Sequence, residues 1–106
     1  MAFVKVSTLP EVQPGWVVKT HVDGHPYALV NDGGVVHCLD GECPCTGGPL
    51  GDGALRGGLV VCPWHGWRYD CKSGICAYDD TVKIDVFPVK VDGEDILIDV
   101  QRALND

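Results

Sequence analysis

Two short groups of metal-binding residue types lie close together between residues 43 and 69, and they limit what this chain can fold into. The first group is C-P-C at residues 43–45 and the second is C-P-W-H at residues 62–65, which gives the pattern C-x-C-x16-C-x2-H. Thiolates and imidazoles are ligands that suit zinc, iron and iron–sulfur clusters. The intervening segment is rich in glycine, which permits tight turns and close backbone approach. The stretch therefore predicts two ligand loops held side by side above a small β scaffold.

The rest of the chain predicts an all-β fold. Short alternating segments separated by turn residues dominate, and none repeats apolar residues at helical spacing over three turns. Strands are predicted at residues 3–6, 16–22, 27–31, 35–39, 59–61, 67–70, 82–91 and 96–100, with a return segment toward Tyr78 after the strand at 67–70. Asp23-Gly24 predicts a hairpin turn, and Pro88 predicts a sheet edge or a bulge.

Length and charge limit the domain count and the partners. A chain of 106 residues predicts one domain at residues 1–106, with residues 41–79 inserted as a ligand-carrying subdomain. The net charge of −7 argues against nucleic acid or an anionic membrane surface as a partner. No signal segment or apolar run long enough to span a membrane is visible. We therefore expect a cytoplasmic monomer, whose six cysteines are metal ligands or thiols.

The segment GECPCTGGPLGDGALRGGLVVCPWHGWRYD resembles the cluster-binding region of Rieske-type ferredoxins and of the Rieske domains of aromatic-ring oxygenases. The family pattern is C-x-H, a spacer of similar length and C-x-x-H, and the flanking G-x-P-L and C-P-W-H-G-W also match. One position departs from it, because Cys45 stands where the family has its first ligand histidine. The resemblance implies a Rieske-type antiparallel β sandwich with an inserted cluster-binding subdomain. It also implies a [2Fe–2S] cluster held by Cys43, Cys45, Cys62 and His65.

A third thiolate should change the redox properties of such a cluster. In Rieske centres two histidines replace two cysteines on one iron, which raises the potential from about −400 mV to between about −150 and +300 mV. Cys45 would add one negative charge, so we expect a potential below that of the two-histidine form.

Three aromatic residues near the ligands resemble positions that surround the cluster in the family. Tyr69 matches the position from which a hydroxyl reaches a ligand cysteine in higher-potential members, and such contacts tune metal sites. Trp67 stands where those members have a serine, so one expected hydrogen bond to sulfur is missing. Trp64 lies between two ligands, where it either packs over the site or offers an apolar contact to a partner.

The function that the resemblance implies is one-electron transfer between a reductase and an oxygenase-type partner. No serine has a neighbouring base and no phosphate-binding loop is visible, so we expect an electron-transfer protein that is not itself an enzyme. A Cys3His set is also a common structural zinc set, and it could hold a single iron. A non-redox small subunit or binding module with a mononuclear zinc or iron site therefore stays open as an alternative.

The remaining histidines and aromatic residues have plainer interpretations. We expect His21, His25 and His37 to be solvated or hydrogen-bonded, because none has a partner at ligand spacing. His37 lies near the first loop in sequence, so it is the one substitute for a missing cluster ligand. Cys38 alternates with Val36 and is expected to be a small core residue, and Trp16 is also expected in the core.

Two further pairs of residues leave alternatives open. Cys71 and Cys76 lie at opposite ends of a predicted hairpin and could form a cross-strand disulfide, but a reduced pair is expected in the cytoplasm. Asp79-Asp80 and the acidic segment 92–95 are either solvated turns or parts of an acidic docking face.

Overall fold

The computed structural model describes residues 3–44, 47–64 and 66–104. Within these ranges the strands are β1 (Val4–Thr8), β2 (Val17–Val22), β3 (His25–Asp32), β4 (Val35–Asp40), β5 (Ala54–Arg56), β6 (Leu59–Val61), β7 (Arg68–Asp70), β8 (Val86–Phe87), β9 (Val89–Asp92) and β10 (Asp95–Ile98). Short 3₁₀ turns occupy Leu9–Glu11 and Leu50–Asp52. In the part of the chain that the structure describes, no helix is long and apolar enough to cross a membrane.

The strands form antiparallel sheets, which confirms the predicted all-β class. One sheet has the order β1-β10-β9, the second β2-β3-β4-β8, and the third β5-β6-β7. The third sheet lies between β4 and β8 in the chain, as an insertion into the base that the other two sheets form. Asp23 and Gly24 both have positive φ, of 51° and 82°, and join β2 to β3 as the predicted hairpin turn.

Successive residues of β3 point to opposite faces of the four-stranded sheet and so enter two different cores. The site core lies toward the inserted sheet and contains Ala28, Val30, Leu39, Cys43, Leu50, Val60, Cys62, Tyr69, Cys71, Cys76, Ile84 and Val86. The base core lies toward the β1-β10-β9 sheet and contains Val12, Tyr27, Leu29, Val36, Cys38, Phe87, Ile96 and Ile98. The predicted core position of Cys38 agrees with its complete burial.

The predicted strand at residues 82–91 is wrong in its extent. The chain forms β8 and β9 there, and these belong to different sheets. Pro88 lies between them and has no N–H to donate to either ladder, so the chain changes sheets at this residue. The return segment after β7 forms only single bridges, from Tyr69 to Cys76 and from Ile75 to Lys83.

The predicted core position of Trp16 is also wrong, because its side chain is 48% exposed. Trp16 precedes β2 and lies in a turn, where its N–H donates to the carbonyl of Gln13. Its carbonyl accepts the N–H of Asn31, so the residue contributes its backbone to the sheet and leaves its indole outside. Val12 fills the base core instead and is completely buried.

Candidate metal centre

The first predicted ligand loop leaves β4 through a glycine that the packing requires. A Cβ at Gly41 would lie 2.6 Å from the backbone carbon of Pro26, and the Gly41 N–H donates to the Pro26 carbonyl. The loop then folds back on itself: the N–H of Cys43 donates to the carbonyl of Gly48 (3.0 Å) and the N–H of Gly47 donates to that of Cys43 (2.7 Å). These bonds hold the Cys43 side chain in the site core, where the residue is 1% exposed.

The second predicted ligand loop follows β6, whose pairing with β7 fixes its direction. The N–H of Cys62 donates to the carbonyl of Trp67 (2.7 Å), and Cys62 is also 1% exposed. A Cβ at Gly48 would lie 2.9 Å from Cys62 Sγ and 3.0 Å from Trp64 Cγ. Gly48 therefore contacts both loops, because it is hydrogen-bonded to Cys43 and packed against Cys62.

Tyr69 lies in β7 opposite Val60 and is completely buried. Its Oη is 3.1 Å from Cys43 Sγ. A phenol hydroxyl donates to sulfur when the sulfur is a thiolate, and this contact lowers the energy of the charged form. The resemblance implies a contact between the Tyr69 hydroxyl and a ligand cysteine, and Cys43 is one of the predicted ligands.

The described residues fit a metal bound through thiolates. Cys43 and Cys62 are soft ligands, both are buried, and no side chain at residue 48 stands between the loops. The other two predicted ligands, Cys45 and His65, lie outside the described residues. The four-residue ligand set therefore stays a prediction.

The two tryptophans near this site differ in exposure. Trp64 is 51% exposed beside Gly48. Trp67 is partly buried, packs against the site core and lies edge-on to the Tyr78 ring with centroids 6.2 Å apart. Its contribution to the second loop is its carbonyl, which accepts the Cys62 N–H.

Two of the histidines agree with the plain interpretation. His25 Nε2 is 3.1 Å from Asp40 Oδ1, so that imidazole is hydrogen-bonded, and His21 is exposed. His37 differs, because its Nε2 is buried and has no hydrogen-bond partner in the described part of the chain. Burial lowers the pKa of His37, and the nearby Asp32 carboxylate only partly opposes this.

His37 belongs to a group of side chains that sequence reasoning missed. The ligand atoms of Asp32, His37 and Cys71 all lie within 4.8 Å of one another. The β3–β4 hairpin, in which His37 pairs with Val30 two residues before Asp32, was the available signal for the first two, but nothing local pointed to Cys71.

Two buried thiols outside the ligand loops, those of Cys38 and Cys71, are held in the protonated form. Burial raises the pKa of Cys38 to about 12, with a smaller effect from Asp40. Burial is the largest cause that raises the pKa of Cys71 to about 11, and the nearby Asp32 and Asp70 carboxylates contribute in the same direction. Cys71 and Cys76 are not joined by a disulfide, which agrees with the predicted reduced pair.

Comparison with known proteins decides the family. Residues 2–98 match the family model of the Rieske [2Fe-2S] domain. The chain belongs to this family. The ferredoxin component of the naphthalene 1,2-dioxygenase system of Pseudomonas aeruginosa is 31% identical over 100 residues, which span 92% of this chain and 95% of that one. The biphenyl dioxygenase ferredoxin subunit of Pseudomonas sp. strain KKS102 is 27% identical, over 97% and 96% of the two chains.

Solved structures show the same Rieske fold. The ferredoxin of carbazole 1,9a-dioxygenase from Nocardioides aromaticivorans IC177 superimposes with a TM-score of 0.83 at 29% identity, over 92% of this chain and 97% of that one. A chain from the complex of reduced oxygenase and oxidized ferredoxin of carbazole 1,9a-dioxygenase gives a TM-score of 0.85 at 26% identity, over 96% of each chain. The Rieske-type sandwich is thus confirmed. The relatives described above, which match this chain over nearly their whole length, are ferredoxin components, and this confirms the prediction of an electron-transfer protein that is not an enzyme.

Proposed function

We propose that this chain is a one-electron carrier whose [2Fe–2S] cluster is held by Cys43, Cys45, Cys62 and His65. One observation carries the proposal: two cysteines, each 1% exposed, flank Gly48, and a buried tyrosine hydroxyl lies 3.1 Å from one of their sulfurs. Membership of the Rieske [2Fe-2S] domain family supports it. When bound, the cluster supplies a centre that gains and loses single electrons.

The chain's own residues would tune that centre. Burial of Cys43 and Cys62 keeps water away from their sulfurs, and in a poorly polarisable interior added negative charge is costly. With Cys43 as a thiolate, the hydroxyl of Tyr69 would donate to its Sγ and offset part of this cost. A thiolate from Cys45 in place of an imidazole adds charge, so we propose a potential below that of two-histidine Rieske centres.

We further propose a reductase and an oxygenase-type protein as redox partners. The relatives are named as components of dioxygenase systems, and one solved neighbour is a ferredoxin in complex with its oxygenase. We also propose His65 as the exit for the electron. The indole of Trp64, the preceding residue, is half exposed beside Gly48 and would supply an apolar contact to the partner. The cytoplasmic location and the monomeric state stay predictions from the sequence, and an acidic docking face stays an alternative to solvated turns.

The first experiment measures iron and acid-labile sulfide in anaerobically purified protein, with a visible spectrum before and after dithionite. We expect about two irons and about two sulfides per chain, and bleaching on reduction. One metal per chain without sulfide would overturn the proposal, because that result indicates a mononuclear site in place of a [2Fe–2S] cluster.

A second experiment tests Cys45 directly through the variant Cys45→His, which restores the two-histidine set of the family. Because one thiolate charge is removed, we expect the reduction potential to rise by about 100 mV or more, judged from the separation of the two cluster classes. In Cys45→Ser the hydroxyl does not supply the negative charge of the thiolate, so we expect this variant to lose iron. An unchanged potential and spectrum in Cys45→His would show that Cys45 points away from the metal.

The second hypothesis is a non-redox small subunit or binding module with a structural zinc or iron, and the structure of a candidate small subunit of NADH-dependent nitrite reductase from Mycobacterium tuberculosis favours only the small-subunit part of it. That structure is 26% identical over 92% of this chain and 96% of its own, with a TM-score of 0.78. The same metal and sulfide analysis separates the two hypotheses, because a zinc site is colourless and does not respond to dithionite.

A further inference from the structure

A second group of metal-binding side chains lies away from the predicted ligand loops. Asp32 is the last residue of β3, His37 lies in β4 and Cys71 follows β7, so two strands and the segment after a third contribute. Their ligand atoms, one carboxylate oxygen, one imidazole nitrogen and one thiol sulfur, lie within 4.8 Å of one another. This mixture of oxygen, nitrogen and sulfur is a ligand set that zinc accepts.

The fold fixes all three positions. His37 pairs with Val30, a site-core residue of β3, so the β3–β4 hairpin presents its imidazole on the face toward the inserted sheet. Asp32 lies two residues beyond Val30 and shares that face. The N–H of Cys71 donates to the carbonyl of Gly58 (3.0 Å), which holds the start of the loop after β7 against the turn before β6.

The observed separation of the ligand atoms is close to what a zinc ion needs. Zinc–oxygen distances of about 2.1 Å and zinc–sulfur distances of about 2.3 Å at a tetrahedral angle place the two ligand atoms about 3.6 Å apart. Cys71 Sγ lies 3.8 Å from Asp32 Oδ2. The remaining pairs are within 4.8 Å, so small side-chain rotations would close the site.

The histidine supplies an independent indication of a ligand. Nε2 of His37 is buried and has no hydrogen-bond partner in residues 3–44, 47–64 and 66–104. Buried polar atoms without partners are rare in folded proteins and call for an explanation such as an ion. Burial also lowers the pKa of His37, so the imidazole is neutral and its lone pair is available to a cation.

We propose that Asp32, His37 and Cys71 form a binding site for a zinc ion, separate from the proposed iron–sulfur cluster. The fourth position would be open to an adjoining cavity of about 340 Å³, lined by Asp32, Gly57, Gly58, Asp70, Cys71 and Lys72, from which a water molecule can complete the coordination. On binding, the Cys71 thiol gives its proton to solvent and the thiolate sulfur bonds the metal.

The two sites lie at opposite ends of β6. Gly58, which receives the Cys71 N–H, precedes Leu59, and Cys62 follows Val61. Three strand residues span about 10 Å, so the sites share no ligand. The zinc ion would join the β3–β4 hairpin to the inserted sheet and so brace the subdomain that carries Cys62.

The test titrates Zn²⁺ into the purified protein, with its own iron content measured first, and removes loosely held metal by gel filtration before elemental analysis. We expect about one zinc per chain taken up with no loss of iron. Co²⁺ in place of Zn²⁺ should add a sulfur-to-cobalt absorption band in the difference spectrum. No uptake of zinc, or uptake matched by loss of iron, would overturn the proposal.

Matched variants identify the site. Cys71→Ser and His37→Gln should each weaken zinc binding at least 100-fold, a limit set by the roughly 10–100-fold losses seen when residues merely supporting ligands are changed. The control is Cys76→Ser, which alters another buried cysteine of the same core and should leave zinc binding unchanged. Because the partly buried His37 can be changed with less risk to folding than Cys71, its variant keeps the test decisive if Cys71→Ser fails to fold. Unchanged zinc uptake in a folded His37→Gln would refute the site.

Discussion

The site core and the base core lie on opposite faces of one four-stranded sheet and differ in chemistry. The site core contains four buried cysteines and the completely buried Tyr69. Among the residues that the structure describes, the base core contains one cysteine, Cys38, with aliphatic and aromatic side chains around it. Residues one apart in β3, such as Leu29 and Val30, serve the two cores alternately, so the division follows from the two-residue period of a strand.

This difference gives the two cores different roles. The base core packs two sheets together, and its buried polar neighbour Asn31 is satisfied by donating to the Val12 carbonyl and by accepting the Gly34 N–H. The site core instead holds groups that can bind metal. Changes in the base core should therefore alter only the free energy of unfolding, whereas changes in the site core should also alter metal content and redox behaviour.

The largest difference is expected between cysteine variants of the two cores. Cys62→Ala should remove nearly all iron from the purified protein, because it deletes a buried thiolate beside Gly48. Cys38→Ala should keep the full iron content and lower the free energy of unfolding by about 1 kcal/mol, as a small cavity forms in the base core. Iron analysis and denaturant unfolding measure both quantities. Full iron content in Cys62→Ala would contradict the claim that the site core holds the metal.

The next effect concerns the space between the two ligand loops. In Gly48→Ala the new Cβ would start 2.9 Å from Cys62 Sγ and 3.0 Å from Trp64 Cγ, so the second loop must shift. We expect partial iron loss and an altered visible spectrum. The matched control is Gly51→Ala, whose Cβ would meet Lys19 Cβ at 2.7 Å and has no sulfur among its nearest atoms. It should lower stability and leave the spectrum unchanged, and equal spectra in the two variants would contradict the prediction.

A smaller effect is expected from the tyrosine of each core. Tyr69→Phe removes the hydroxyl that lies 3.1 Å from Cys43 Sγ. The more negative reduced state should lose more stabilisation by this change than the oxidised state does. If that difference is about 1 kcal/mol, the potential falls by about 40 mV, since a tenfold change corresponds to about 59 mV for one electron. Tyr27→Phe in the base core should leave the potential unchanged. Protein-film voltammetry of both variants decides the matter, and equal shifts would show that the hydroxyl does not act on the centre.

Much of the fold could be predicted because its strands are short, alternating and separated by turn residues. β6 and the Asp23-Gly24 turn were predicted as they are observed. β5 was missed, because three residues carry too little pattern to distinguish a strand from a loop. Trp16 was misplaced because an apolar residue next to a strand can stay outside it, and only long-range packing shows that Val12 fills the core.

The two candidate sites were not equally predictable. Cys43 and Cys62 belong to a spaced motif, and their common neighbour Gly48 lies between them in sequence. The contact of Cys71 with Asp32 joins residues 39 positions apart, and it depends on how the inserted sheet packs on the β3–β4 hairpin. Spacing within a motif is visible in one sequence, whereas a site assembled across two sheets is not.

The smallest expected effect lies outside both cores, in the exposed turn at Asp79, and it provides a baseline for the comparison. The Thr81 hydroxyl donates to Asp79 Oδ1 (2.6 Å) and the Thr81 N–H donates to the same atom (3.0 Å). These two bonds lower the pKa of Asp79 below its ordinary value of 3.8, and the bond from the hydroxyl has the larger effect. A carboxyl whose pKa is lower in the folded state stabilises the fold above the unfolded pKa, and this contribution is lost as pH falls through the folded pKa.

Thr81→Val removes the hydroxyl, keeps the N–H and preserves the shape of the side chain. The pKa of Asp79 should therefore rise toward 3.8 without reaching it, because one of its two donors remains. An NMR titration of the Asp79 carboxyl carbon in oxidised protein measures the shift, and an unchanged pKa would assign the whole effect to the backbone N–H. Iron content and potential should stay as in the unmodified chain, since Asp79 belongs to neither core. A changed potential in Thr81→Val would mean that charge at this surface turn influences the potential of the metal centre. Part of the redox effects ascribed to the site core would then belong to this turn.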